Sequence, residues 1–156
     1  MNVKICLLCF DISNNSLGRT ALLASALAPR HDVKIIGTSK NGDIWYPMRN
    51  SGVPIQIYPW SRYPSFVSTI RKMLREMDAD IYIACKLRPT SFGIALLKKW
   101  FSGKPVMVDI DDWEAGFYYH SGFWGRVGRF LNFSNPNGLP YTWLMERLVK
   151  FADSIV

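Results

Sequence analysis

The chain has 156 residues, 49% of them hydrophobic and 20% charged, the balance of one globular domain. At that length folding hides roughly 68–70% of the surface that the unfolded chain exposes, enough for one sizeable core. Gly and Pro are scattered, and no fixed-period repeat or low-complexity block occurs, which excludes a solenoid and a disordered chain. Apolar runs reach only about six residues, far below the ~18–20 of a bilayer-spanning helix.

The net charge of +7 is localised. From Ile12 to Arg75 there are nine bases and only two acids, Asp32 and Asp43, which accounts for all of it. The remainder balances, with a dense acidic knot at Asp109, Asp111, Asp112 and Glu114. A basic surface suits an anionic partner, whether membrane lipid, phosphorylated substrate or nucleic acid, and is also compatible with a merely solvated face. The bases are spread over predicted helices and loops without aromatic platforms between them, so no nucleic-acid partner is expected.

In chain order, Val3–Cys9 is a near-continuous apolar run, as in a strand covered on both faces. The start has one Lys and a short apolar stretch but no small-residue cleavage site, so it reads as this strand and not as a signal peptide. A soluble, cytoplasmic domain is expected. Cys6 and Cys9 have the CxxC spacing, yet on a strand positions three apart face opposite sides and cannot chelate one ion. With Cys85 they are expected to be buried free thiols.

The polar loop from Asp11 to Ser16 leads into a helix from Leu17 to Leu27, which Pro29 closes. Val33–Gly37 is the second strand, and Ile55–Tyr58 the third, after a turn marked by Gly52 and Pro54. A helix from Phe66 to Met77 turns Arg71, Lys72 and Arg75 to water. Asp80–Ala84 is the fourth strand, Ser91–Trp100 a helix and Pro105–Ile110 the fifth strand. Leu139–Phe151 is the final helix, and Ser154–Val156 reads as a strand just beginning, as though a longer protein continues. This alternation predicts an α/β fold with a doubly wound, mainly parallel, Rossmann-like sheet. Ligands in such sheets bind beyond the carboxyl ends of the strands, so three loops are candidates: Asp11–Arg19, Cys85–Ser91 and Asp109–Glu114.

In the first loop Gly18 and Arg19 open a helix, whose N–H groups and dipole favour an anion. The alternative is that Asn15 or Ser16 simply caps the helix. The GxGxxG fingerprint of dinucleotide binding is absent. In the second loop Lys86 and Arg88 precede Thr90 and Ser91, a plausible anion or sugar-hydroxyl site, while Thr90 as N-cap behind Pro89 is compatible with the same residues. In the third, Asp109, Asp111, Asp112 and Glu114 fall within six residues around Trp113. They could bind a hydroxylated acceptor, act as a base or hold a hard cation. Sugar or acceptor binding is favoured over metal, and capping with surface charge is the plain alternative. His120 reads first as a loop or core residue, and its closeness to this knot keeps it as a candidate.

Farther on, Phe123, Trp124, Val127, Phe130 and Leu131 share helical spacing, with Arg126 and Arg129 between them. That pattern fits a membrane-interface helix, with Trp124, Arg126, Arg129 and Phe130 as contacts. It fits equally a helix packed on its own core.

The runs SLGRTALLASALAPRHDVKIIG (Ser16–Gly37), ADIYIACKLRPTSFGIALL (Ala79–Leu97) and VDIDDWE (Val108–Glu114) resemble the N-terminal domain of family-4 glycosyltransferases of GT-B fold. The terminal ADSIV (Ala152–Val156) resembles the last strand of that domain. The resemblance implies one half of a two-domain enzyme, in which this half binds the acceptor and a C-terminal domain, in cis or in trans, binds most of a nucleotide-sugar donor. It implies metal-independent transfer with retention of configuration, and no cofactor. Gly18 matches the glycine that approaches the donor diphosphate, and Arg88–Ser91 match a loop on the cleft side. Asp111 and Asp112 stand where many relatives carry a histidine-containing acceptor loop; that histidine and the common paired glycines of the first loop are missing here.

On this reading Gly18, Arg19, Lys86 and Arg88 serve the donor phosphates, and Asp111 and Asp112 are catalytic. Asn15, Ser16, Thr90, Ser91, Asp109, Trp113, Glu114 and His120 bind the acceptor, a glycan or lipid-linked sugar of the cell envelope. The contrasting expectation is a non-catalytic module that docks a separate donor-binding chain or an anionic membrane at its cytoplasmic face.

Overall fold

In β1 (Lys4–Cys9) alternate side chains enter different cores: Cys6 and Leu8 on one face, Ile5, Leu7 and Cys9 on the other. A strand buried on both faces belongs at the centre of a sheet. The chain, a computed structural model described over residues 2–114, 116 and 122–156 with the side chains of Phe123 and Arg126 excepted, has that arrangement. Beside β1 run β2 (Asp32–Ser39) and β4 (Ile81–Cys85); beyond them lie β3 (Ile55–Pro59), β5 (Val106–Asp109) and the short β6 (Ser154–Ile155). The order is β3-β2-β1-β4-β5-β6, and every pairing is parallel. This is the doubly wound, Rossmann-like sheet expected of one half of a GT-B architecture, with its switch point between β1 and β4.

Helix α1 (Ser16–Leu27) buries Leu17, Thr20, Ala21 and Ala24, a helical stripe, against one face of the sheet. Helices α2 (Phe66–Glu76) and α3 (Ile94–Ser102) cover the other, where Phe66, Met73, Ile94 and Leu96 join Tyr58 and Tyr82. Each fully buried Leu or Ile contributes about 1.5–3 kcal/mol. Arg71, Lys72 and Arg75 point to water, as the pattern predicts. Two further helices, α4 (Phe123–Phe130) and α5 (Leu139–Leu148), follow β5.

All three cysteines are buried and free, and Cys6 and Cys9 occupy opposite cores. Burial pushes the Cys6 and Cys85 thiols up to about 12, which keeps them protonated and unsuited to metal or redox chemistry. Gly37 is required where it stands, because a Cβ there would meet Cys9 O at 2.2 Å.

Two boundaries differ from expectation. The third helix starts later, because Pro89–Gly93 first make a wide π-type turn in which Ser91 Oγ donates back to Lys86 O at 2.7 Å. The last helix ends at Leu148, and the chain tightens through Val149–Phe151 before entering β6.

Candidate functional site

Since every strand is parallel, all carboxyl ends meet at one edge, and the loops after β1, β2, β3, β4 and β5 face the same space. Two clusters of charge stand there.

The first follows β4 and β5. Lys86 leaves β4 at φ 75°, the one non-glycine left-handed residue among those described, a strained position of the kind that concentrates at functional sites. Its N–H donates to Asp109 O at 2.9 Å. That turn aims Lys86 Nζ into the acidic knot, 3.2 Å from Asp111 Oδ1, 2.7 Å from Asp112 Oδ2 and 3.3 Å from Glu114 Oε1. These three carboxylates lie within 4.8 Å of one another and have the donor chemistry of a hard-cation site. The Lys86 ammonium supplies the positive charge there. Burial opposes its charged form, but the hydrogen bond to Asp112 and the charges of Glu114 and Asp111 outweigh that and raise its pKa. The same bond to Lys86 lowers the pKa of Asp112.

Beside it, Arg88 pairs through Nη2 with the buried Glu114 and donates through Nη1 to Thr142 Oγ1 at 3.1 Å. Arg19, from α1, makes a two-pronged bond to the buried Asp109, Nε to Oδ2 and Nη2 to Oδ1, both 2.5 Å. That planar fork raises the pKa of Arg19 and ties α1 to the end of β5. Four acids and three cations thus pair with one another, which leaves one carboxylate charge in excess. Asp111, Asp112, Trp113 and Glu114 line a cavity of about 450 Å³ at its outer side.

Several residues expected in the site lie beneath this edge. The Ser16 hydroxyl donates to Asp11 O at 2.6 Å, and that of Thr90 lies 3.0 Å from both Phe10 O and Asn137 Oδ1. With Ser91 they are buried braces of the loops. The Gly18 N–H donates to Asn15 O at 3.0 Å, and Trp45 Cζ3 lies 3.1 Å from the position a Gly18 Cβ would take. Asn15 makes no side-chain cap; Asn14 Oδ1 accepts from Ser16 N–H instead, at 3.0 Å. Trp113 is exposed. On α4, Trp124 is 81% exposed, and Arg129 and Phe130 are exposed with it, so neither Trp124 nor Phe130 is buried in the core. His120 and the Arg126 side chain lie outside the described residues.

Of the second cluster only Arg88 was among the expected residues. Lys40 follows β2, Trp60 follows β3, and with Phe10, Arg62, Arg88, Asn135 and Asn137 they line a cavity of about 340 Å³. The bias toward bases between Ile12 and Arg75 was the available signal. It became specific only once the positions just after β2 and β3 were known to share the edge with β1 and β4. A separate groove among α2, α3 and α5, lined by Ile70, Leu97, Trp100 and Leu144, has no charged group among the described residues that line it.

The chain therefore has a Rossmann-like fold with charged clusters at the carboxyl edge of its sheet, beside the switch point. Neither a known protein family nor a curated protein matches its sequence. Its fold is similar to that of Anabaena HepE, solved in complex with UDP and glucose, with a TM-score of 0.54 and 9% identity. The match covers 76% of this chain and 33% of HepE, so the chain corresponds to about a third of that protein. At this identity the likeness is one of fold alone. No described helix is long and apolar enough to cross a membrane.

Proposed function

We propose that this chain is the acceptor-binding part of a retaining, nucleotide-sugar-dependent glycosyltransferase acting on an envelope glycan or a lipid-linked sugar. The observation that carries the reading is the ionic cluster around Lys86, held by a strained backbone at the switch-point edge. The fold shared with a protein solved with UDP and glucose supports it.

In the complete enzyme a second domain, in cis or in trans, supplies most of the nucleotide-sugar site, and this edge faces it. The contribution of this chain is orientation and fixed charge, the terms that dominate transfer between bound partners. Asp112, held ionised by Lys86 and reaching solvent, accepts a hydrogen bond from the acceptor hydroxyl. A carboxylate with a lowered pKa is a weak base, so its task is to aim the hydroxyl at the anomeric carbon. The proton then leaves with the departing diphosphate on the same face. Asp111 shares the task, and Lys86 and Arg88 hold the acidic loop in position through their ion pairs. No metal is expected, because Lys86 places its charge among the three carboxylates.

A peripheral contact with an anionic membrane is a second reading, favoured by Trp124, Arg129 and Phe130 standing exposed on α4. It is compatible with a cytoplasmic enzyme that uses a lipid-linked acceptor.

The test is Asp111→Asn and Asp112→Asn in the full-length enzyme. Asp112→Asn is expected to lower kcat/KM for the acceptor by roughly ten- to a hundredfold, the loss of one charge-assisted hydrogen bond, and Asp111→Asn by less. Normal rates and normal acceptor saturation in both variants would remove the role assigned to the acidic loop.

A further inference from the structure

The cavity beyond β2 and β3 has the chemistry of a site for a negatively charged sugar, and of its lining residues only Arg88 has a part in the transfer step just described. Three cations line it, and their neutralisation is unequal. Arg88 is matched by Glu114. Lys40 Nζ stands 3.7 Å from Asp11 Oδ2, a loose pairing. Arg62 has no carboxylate within ion-pair distance among the described residues; its Nη1 donates to the neutral Ser134 Oγ at 3.1 Å. That bond fixes the guanidinium without cancelling its charge.

The frame around it is tied by main-chain bonds. Trp60 N–H donates to Ser39 O at 2.9 Å and Tyr63 N–H to Ser134 O at 2.8 Å, so the exits of β2 and β3 and the segment before α5 are held together. Trp60 contributes an aromatic face, with Lys40 Nζ 5.6 Å from its ring centre. Its own Nε1–H is buried and has no acceptor among the described residues, an uncommon state for a buried donor. Asn135 and Asn137 add carboxamides on the same wall. An uncompensated guanidinium, an ammonium, an indole face and two carboxamides together suit a hydroxylated ring bearing an anionic group.

We infer that this pocket binds an anionic sugar unit, a uronate or a sugar phosphate, through Arg62 and Lys40, with the ring against Trp60. Calling that unit part of the acceptor rests on the transferase reading above; the binding site itself does not.

The experiment is a titration of the ¹⁵N-labelled chain, following the Trp60 indole N–H resonance, assigned by its loss in Trp60→Phe. The probes are glucuronate, glucose 1-phosphate, inorganic phosphate and glucose. Both charged sugars are expected to shift the Trp60 resonance at concentrations at least tenfold below those glucose needs, and whichever binds tighter identifies the natural anion as carboxylate or phosphate. Arg62→Gln is expected to weaken both by roughly ten- to a hundredfold, as the loss of a charged hydrogen bond does, and to leave glucose unaffected. Glucose binding as well as the charged sugars would overturn the inference. So would inorganic phosphate matching glucose 1-phosphate, or charged-sugar binding that survives Arg62→Gln. A failed titration removes the pocket and leaves the transferase reading to its own assay. A successful one beside inactive full-length enzyme keeps the pocket and removes the word acceptor.

Discussion

Beyond β4 and β5, four acids face Arg19, Lys86 and Arg88 at contact distance, whereas beyond β2 and β3 Lys40 and Arg62 line a cavity where, among the described residues, Asp11 is the only acid within ion-pair distance of either. Both groups stand at the same sheet edge, and their charges do different work. In the first, cations and carboxylates satisfy one another, so the cluster fixes the loops and holds Asp112 in one state. In the second the charge is less matched and so available to something that arrives. Counting charged residues near a cleft does not separate these cases; counting the partners each has does.

The contrast can be broken most severely at Glu114. Its buried carboxylate meets both Arg88 and Lys86, and truncation of one partner of a buried pair typically costs about 3–5 kcal/mol. Glu114→Ala is expected to lower stability by that amount in urea unfolding; a loss under about 1 kcal/mol would mean that the network is ornamental. A smaller effect sharpens the comparison at Lys86. Replacing it by Ala removes the ammonium but keeps the left-handed backbone, while Gly removes both the ammonium and the strain. Lys86→Gly should therefore be more stable than Lys86→Ala by about 1 kcal/mol, and equal stabilities would show that the φ of 75° carries no cost. At the least sensitive end, Arg62→Ala should change stability by no more than about 0.5 kcal/mol, as at ordinary surface positions. A large loss there would place Arg62 among the structural charges and dissolve the distinction.

The fold was legible because its signals are local. The apolar run of β1, the stripe of Leu17, Ala21 and Ala24 and the alternation of elements all reflect side-chain periodicity, and the structure follows them within a residue or two at most boundaries. The CxxC of Cys6 and Cys9 was also readable as two cores, since alternation on a strand separates positions three apart. The site was legible only in outline. The Asp109–Glu114 knot and the Lys86–Arg88 loop were recognisable as charged loops at strand ends. That Lys86 would enter the knot depends on one left-handed residue, for which Lys gives no sequence signal. Ser16, Thr90 and Ser91 read as ligand hydroxyls but serve main-chain carbonyls, a choice set by how the loops stack. Lys40, Trp60 and Arg62 were invisible as a group because strand order, not sequence distance, brings them together.

Retaining glycosyl transfer is the activity proposed for this chain together with a donor-binding domain, in cis or in trans. It is tested most directly by giving the full-length enzyme UDP-, GDP- and dTDP-linked sugars with water as the surrogate acceptor and following the anomeric proton by NMR. One donor is expected to be slowly consumed, and the sugar first released to have the donor's own anomeric configuration. Release of the opposite anomer, or no consumption of any donor by folded enzyme, would contradict it.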